Sequence, residues 1–364
     1  MNSMNDELEA PQEASIELEA RPQEQLLLDL LEELYAGRVL CNTVGRAQFA
    51  RAFARRHPQA DVTCLIHDVH QQQLAVGMGV LSPNLRILCQ ADPPAQRFDV
   101  VALALSRNGE AELARDWLQA GHVRLQDGGQ LVATTDNPSD SWLQQQMETL
   151  FDRVSRRQTP QGVLYMATKR APLKRIRRFE AEFPFRDGDR LLKLRTRPGV
   201  FSHRHVDGGA RALLAQMQIR PGMKVLDIGT GSGVVAIAAA ARASDVAVLA
   251  IDSNARSIEA VEWAAQANEL PTVRAALDAD GRTVPAESFD LVLANPPYYS
   301  NFRIADIFIT TATRALRPGG ELLVVTKRPD WYLERLADGF IEIESLEARN
   351  YVVLRAKRTA NYGK

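Results

Sequence analysis

Only three cysteines, Cys41, Cys64 and Cys89, occur in the 364 residues, each inside an apolar, strand-like run and without the paired spacing of a zinc site. They read as buried free thiols, and no metal is expected. Also absent are an apolar run of about 18 or more residues and a basic segment leading into an apolar one. A membrane span and a signal peptide have nothing to rest on, so a soluble, cytoplasmic, monomeric protein is the expectation. Nor does one sign of charge dominate, the formal net charge being −1.

That balance conceals an asymmetry. Residues 1–33 hold ten acidic side chains against Arg21, whereas residues 169–204 hold twelve Lys or Arg against Glu180, Glu182, Asp187 and Asp189. The acidic part divides into a disordered tail, residues 1–23, and a first helix from Glu24 to Tyr35 carrying Leu27, Leu30, Leu31 and Leu34. The basic part, with Lys174, Arg175, Arg177 and Arg178 at its centre, falls in a linker over residues 171–197. It is either a solvated face or a patch that contacts the phosphates of a nucleic acid. His203 and His205 have no carboxylate or cysteine cluster beside them and read as polar loop residues.

Two segments carry chemistry. Met223 to Leu226 is a short apolar run, Gly229, Gly231 and Gly233 follow, and Val234 to Ala241 is alanine-rich, so strand, glycine turn and helix are expected in that order. Glycines at alternate positions let the backbone turn tightly and approach a ligand. Nineteen residues beyond Gly233, the run Val246 to Ile251 ends in Asp252, where a nucleotide-binding βαβ unit places the acid that bonds ribose hydroxyls. Asp227 stands just before the glycines; a carboxylate there would repel a pyrophosphate but suits a ligand bearing an ammonium and a sulfonium.

The second segment, Phe289 to Ala294 followed by Asn295-Pro296-Pro297-Tyr298, is a buried-type strand running into a stiff loop. Prolines donate no N–H and leave nearby carbonyls free to accept. The Asn295 oxygen and the Pro296 carbonyl together suit both hydrogens of an exocyclic amino group, with Tyr298 stacked on its ring. Such a nitrogen is a poor nucleophile, so holding it in line is the main catalytic contribution.

The chain also repeats itself. Phe98-Asp99-Val100-Val101 answers Phe289-Asp290-Leu291-Val292, and Gly128-Gly129-Gln130-Leu131 answers Gly319-Gly320-Glu321-Leu322, both at an offset of 191. In the first copy Cys41 stands where Asp227 is, Thr43 replaces Gly229, Gly45 survives, Ala47 replaces Gly233, and Ala104 takes the place of Asn295. That copy is expected to bind no cofactor and to cover the catalytic half, position substrate, or both. Asp68 reads either as a relic of the ribose carboxylate or as an exposed strand-end aspartate.

The glycine turn with Asp227 and Asp252 resembles the S-adenosylmethionine (SAM) motif of class I methyltransferases. A degenerate copy followed by an intact one resembles the tandem-domain bacterial ribosomal RNA guanine-N2 methyltransferases of the small-subunit methyltransferase C type. The resemblance implies an α/β chain of two tandem Rossmann-like domains, degenerate over 24–170 and catalytic over 198–364. It implies SAM as cofactor and ribosomal RNA or a ribosomal subunit as partner. Asp227, Gly229, Thr230, Gly231 and Gly233 would lie along the methionine part, Asp252 and Ser253 at the ribose, Asp278 or Asp280 at the adenine, and Asn295 beside the methyl group.

Phe201, Ser202 and Asp207, in the stretch Pro198-Gly199-Val200-Phe201-Ser202 and beyond, match the family's segment ahead of the SAM strand and become secondary site residues. The bland alternative makes Phe201 core and Asp207 the cap of a helix running to Met217. Family members carry Asn-Pro-Pro-Phe-His where this chain has Tyr298-Tyr299. Adenine N6 and a protein glutamine amide therefore stand beside guanine N2 as targets. A non-catalytic RNA-binding or assembly factor is the reading from another class.

Overall fold

The computed structural model describes residues 19–297 and 302–360. The acidic segment read as a tail is thus described only from Glu19, and Tyr298 and Tyr299 lie outside the described residues.

The first half runs α1 (Pro22–Leu28), β1 (Arg38–Cys41), α2 (Gln48–Arg56), β2 (Asp61–Ile66), α3 (Val69–Val76), β3 (Leu85–Cys89), β4 (Phe98–Leu105), α4 (Ala111–Arg124), β5 (Leu125–Thr135), α5 (Trp142–Glu148), β6 (Ser155–Thr159) and β7 (Gly162–Thr168). A hairpin follows, β8 (Ala181–Asp187) and β9 (Arg190–Thr196). The second half runs α6 (Gly208–Gln216), β10 (Lys224–Ile228), α7 (Val234–Arg242), β11 (Ala247–Asp252), α8 (Ala255–Ala267), β12 (Val273–Leu277), β13 (Phe289–Ala294), α9 (Arg303–Ala315), β14 (Leu316–Thr326), α10 (Pro329–Leu336), β15 (Phe340–Ala348) and β16 (Tyr351–Arg358).

Each half forms a seven-stranded sheet of the same order, β3-β2-β1-β4-β5-β7-β6 and β12-β11-β10-β13-β14-β16-β15. The pairs are parallel except those made by the last two strands of each sheet. Strand order reverses between β1 and β4 and between β10 and β13, the point where an open α/β sheet binds its ligand. Side chains alternate as pleated strands require. Leu291 and Leu293 join one buried cluster while Val292 and Ala294 join the other, so both faces of the second sheet are covered.

Two expectations change at this level. The first helix begins at Pro22 and closes at Leu28, the chain continuing in turns that still bury Leu30 and Leu34. Within the segment read as a linker, β8 and β9 pair and bury Phe185, Leu192 and Leu194 in the second half's core. The many arginines and lysines between them obscure the alternation of apolar residues in that stretch.

In the first sheet the ligand crevice is closed from within. Asn42 Nδ2 donates to the Ala104 carbonyl (3.1 Å) and the Ala104 N–H donates to Asn42 Oδ1 (2.7 Å), stapling the ends of β1 and β4 together. Fully buried Glu24 of α1 accepts from Thr43 Oγ1 (2.7 Å) and the Phe49 N–H (3.2 Å), filling the loop that corresponds to the glycine turn. Cys41 and Cys64 are buried side by side in β1 and β2, and Cys89 is half-buried.

The two halves meet through equivalent turns. The Val69 N–H donates to the Ser253 carbonyl (2.7 Å) and the Ala255 N–H to the His67 carbonyl (2.8 Å), a reciprocal bridge between Asp68 and Asn254. Cys41 pairs with Cys64 and Asp227 with Ala250, so two residues on, Ile66 occupies the position of Asp252. Asp68 is therefore no relic of the ribose carboxylate. It corresponds to Asn254, and each caps the helix that follows.

Candidate active site

The glycine turn hangs from the second strand by its backbone. Gly229 and Thr230 N–H groups both donate to the Ile251 carbonyl (2.9 and 3.0 Å), and the Gly231 N–H donates to Asp252 Oδ2 (2.8 Å). Gly229 adopts φ +69°, and a Cβ there would stand 2.6 Å from the Phe308 ring, so only glycine fits. Thr230 Oγ1 donates to Asp227 Oδ2 (2.6 Å). Asp227 is 3 % exposed, and burial pushes its carboxyl up to about 7 against the opposing Thr230 bond, with the nearby Asp252 charge adding to the rise.

Below this turn lies a cavity of about 890 Å³. Gly229, Asp252, Ser253, Asp278, Asn295, Pro296, Pro297 and Phe201 stand on its wall among the expected residues. Burial raises the Asp252 carboxyl, while N–H groups of Asn254 and Gly231 and the Ser257 side chain hold it the other way. Asp278 accepts from the N–H groups of Asp280, Gly281 and Thr283 (3.0, 2.7 and 3.0 Å) and from the Thr283 hydroxyl. Burial alone would raise its carboxyl, but these bonds together leave it lowered.

At the end of β13 the orientation of Asn295 is fixed. Its Nδ2 donates to Asp207 Oδ2 at 3.0 Å, and a carboxylate can only accept, so Oδ1 is the face left over. The same Asp207 oxygen caps α6 by accepting from Gly209 and Ala210 N–H (2.8 and 3.3 Å). Asp207 therefore caps the helix, as the bland alternative has it, and with the same oxygen holds the Asn295 amide. Gly209 completes the arrangement, because a Cβ there would come within 2.5 Å of Asn295 Oδ1.

Other expected residues stand elsewhere. Asp227, Thr230, Gly231 and Gly233 support the wall from behind rather than lining it, and Asp280 pairs with Arg282 (2.9 Å) off the cavity. Phe201 is 58 % exposed at the cavity edge, which overturns its reading as core. Ser202, at φ +65°, donates to the His205 carbonyl (2.7 Å) and holds the turn. Lys174, Arg175 and Arg177 line a separate cavity of about 480 Å³ against α4 and α5, together with Arg115, His122 and Arg170, and Arg178 lines an adjoining one. The Arg177 backbone is tied there by Gln119 through two bonds of 2.8 Å.

Sequence reasoning missed one face of α9. Ile304, Ile307, Phe308 and Thr311 line the cavity, and their i, i+3, i+4, i+7 spacing is the signal that identifies such a face. It also missed His70 and Gln71, and named Asp68 without placing it here; all three reach the cavity from the first half. No local pattern marks those.

A cavity at the carboxyl ends of β10, β11 and β13, beside a glycine turn with acids at the ends of the first two strands, defines a class I SAM-dependent methyltransferase. The sequence matches the family described as methyltransferase small domain over residues 191–355. It is 30% identical over 299 residues to the ribosomal RNA large subunit methyltransferase G of Streptomyces coelicolor, covering 76% of this chain and 77% of that protein. Against the ribosomal RNA small subunit methyltransferase C of Shewanella sediminis it is 25% identical over 314 residues, covering 81% and 87%. The fold matches a 16S rRNA N2 methyltransferase of T. thermophilus, solved with AdoMet and guanosine, at a TM-score of 0.74 and 21% identity over 93% of each chain.

The chain belongs to the family of ribosomal RNA methyltransferases. Its cofactor is SAM, and the residues fit one: an Asp252 carboxylate on the wall with no cationic side chain paired to it among the described residues, an apolar α9 face opposite, and a volume within the range of small-molecule sites. Among the described residues no group of three or more His, Cys, Asp or Glu is placed to hold a metal, and no helix is long and apolar enough to cross a membrane.

Proposed function

We propose that the protein methylates an exocyclic amino group of ribosomal RNA, guanine N2 in particular, as a cytoplasmic enzyme. The observation that carries this reading is the bond from Asn295 Nδ2 to Asp207. With Nδ2 committed, Asn295 Oδ1 and the Pro296 carbonyl accept the two hydrogens of an –NH2, and the nitrogen lone pair is aimed along one line. SAM, when bound, supplies a methyl group activated by its sulfonium. The protein holds the nitrogen in that line, which lowers the barrier by orientation rather than by a strong base. A base in folded RNA must leave its stack to enter such a site.

The Asp252 carboxylate takes the ribose hydroxyls and the loop at Asp278 the adenine end. Lys174, Arg175, Arg177 and Arg178 contact RNA phosphates on the outer face of the first half, at 171–180, where these four side chains are exposed. The first half, over about residues 24–170, carries RNA and covers the catalytic half, which begins near residue 198. The T. thermophilus protein of the same fold was solved with guanosine, which supports guanine among the possible bases.

The test is transfer of labelled methyl from SAM to total RNA, isolated ribosomal subunits and release factors in parallel, with Asn295→Ala as control. Label in ribosomal RNA that vanishes in the variant, followed by N2-methylguanosine on nucleoside analysis, is the expected result. N6-methyladenosine would move the target base. Label in release factor alone would move the substrate to a glutamine amide, and SAM binding without transfer to any of them would leave a binding protein in place of an enzyme.

A further inference from the structure

The turn that opens α3 belongs to the emptied half, yet Asp68, His70 and Gln71 line the cavity of the other half. Asp68 is bonded at both oxygens. Oδ1 caps α3 by accepting from the Gln71 N–H (2.9 Å), and Oδ2 accepts from Ser253 Oγ at 2.6 Å. Ser253 directly follows the Asp252 carboxylate and is itself on the cavity wall. A hydroxyl has one proton and two lone pairs. Because that proton is held by Asp68, Ser253 offers the cavity lone pairs only.

We infer that Asp68 is a positioning residue of the SAM site: it turns Ser253 into an obligate acceptor for a donor group at the nucleoside end of the cofactor, a ribose O–H or the adenine amino group. The emptied copy thus supplies part of the catalytic copy's specificity for its cofactor. Backbone bonds on both sides, from Val69 to Ser253 and from Ala255 to His67, fix the two turns so that the carboxylate and hydroxyl meet (2.7 and 2.8 Å). The inference rests on the cofactor placement proposed above.

Asp68→Asn is the discriminating variant. Asparagine caps a helix as well as aspartate does, so α3 keeps its Gln71 bond, but Nδ2 would then donate to Ser253 Oγ and release the serine proton toward the cavity. Affinity is read by calorimetry on the whole chain with SAM and with 5′-methylthioadenosine, which keeps the nucleoside end and lacks the amino acid. Dissociation constants for both ligands are expected to rise about tenfold, the upper end of the range for one neutral hydrogen bond. Ser253→Ala should cost as much, and the double variant no more than Ser253→Ala alone, since without the hydroxyl Asp68 has nothing to orient.

Asp92→Asn breaks an ion pair to Arg197 (2.6 Å) between the halves, away from the cavity, and should leave both constants unchanged. Affinity of Asp68→Asn within twofold of the parent would overturn the inference, as would additive losses in the double variant or an equal loss in Asp92→Asn. Asp252→Ala separates the two levels. If it binds SAM like the parent, the cofactor placement itself is wrong, whereas loss there with none in Asp68→Asn removes this inference alone.

Discussion

Asp207 does two jobs with one oxygen, and the consequence is a distinctive pair of losses. Asp207→Ala removes a helix cap, worth about 1 kcal/mol, and frees the Asn295 amide to rotate out of line. Methyl transfer should fall on the order of 100-fold while SAM affinity stays within a small factor; denaturant unfolding and single-turnover kinetics on the same preparation check both. Asp227 sets a pH dependence. Its folded carboxyl lies near 7, above the ordinary value of 3.8, so the folded state binds the extra proton between those values. That contribution to stability is complete below the unfolded value and is lost as pH rises through about 7. The ligand-free protein should therefore melt lower at pH 8 than at pH 6, and SAM, whose positive charge favours the ionised carboxylates, should bind more tightly at pH 8. Asp227→Asn should flatten the melting profile; an unchanged slope would show that another group titrates there.

At the scale of elements, the two sheets share an order and differ in what happens where β1 parts from β4 and β10 from β13. In the first, Asn42 satisfies both backbone groups of Ala104, and Glu24 satisfies the donors of the loop. Asn42→Ala would leave a buried N–H and carbonyl without partners, at about 1–3 kcal/mol, and should lower the unfolding midpoint without touching SAM affinity. The strand of Asn295 and the glycine turn were legible, because each is announced by an apolar run or a turn residue close by. The hairpin of β8 and β9 was not, since its charged face outnumbers its buried one. The meeting of Asn295 with Asp207, 88 residues apart, was also hidden, as it depends on where α6 begins relative to the end of β13.

At the scale of the whole molecule, the two halves are locked by buried charge. Arg256, 2 % exposed, donates to the carbonyls of Ala91 (3.1 Å) and Pro198 (2.7 Å) and pairs with Asp116 at 2.7 Å. His67 stacks on Trp117 at 4.8 Å beside it, held neutral by burial and by the Arg256 and Arg197 charges, which push it down to about 2. Arg256→Ala should cost about 3–5 kcal/mol, mostly by stranding Asp116, and protease sensitivity at the junction should rise. The basic face is separate from this lock. Replacing Lys174, Arg175, Arg177 and Arg178 by Gln should weaken RNA binding and reduce the slope of log affinity against log salt by about 3, at roughly 0.7–0.9 for each phosphate no longer neutralised; an unchanged slope would show that the cluster does not touch RNA.

The amino-acid sequence by itself determined the two α/β copies, the glycine turn with its two acids, the Asn-Pro-Pro loop and the loss of those features from the first copy. These depend on residue type, spacing and near neighbours, which a linear pattern records. Tertiary structure decided which end of the Asn295 amide Asp207 holds, how the empty crevice is stapled shut, and that Asp68 reaches Ser253 across 185 positions. Such pairings follow from how two sheets and their capping turns pack against each other, and directional hydrogen bonds across that packing have no local signature in the chain.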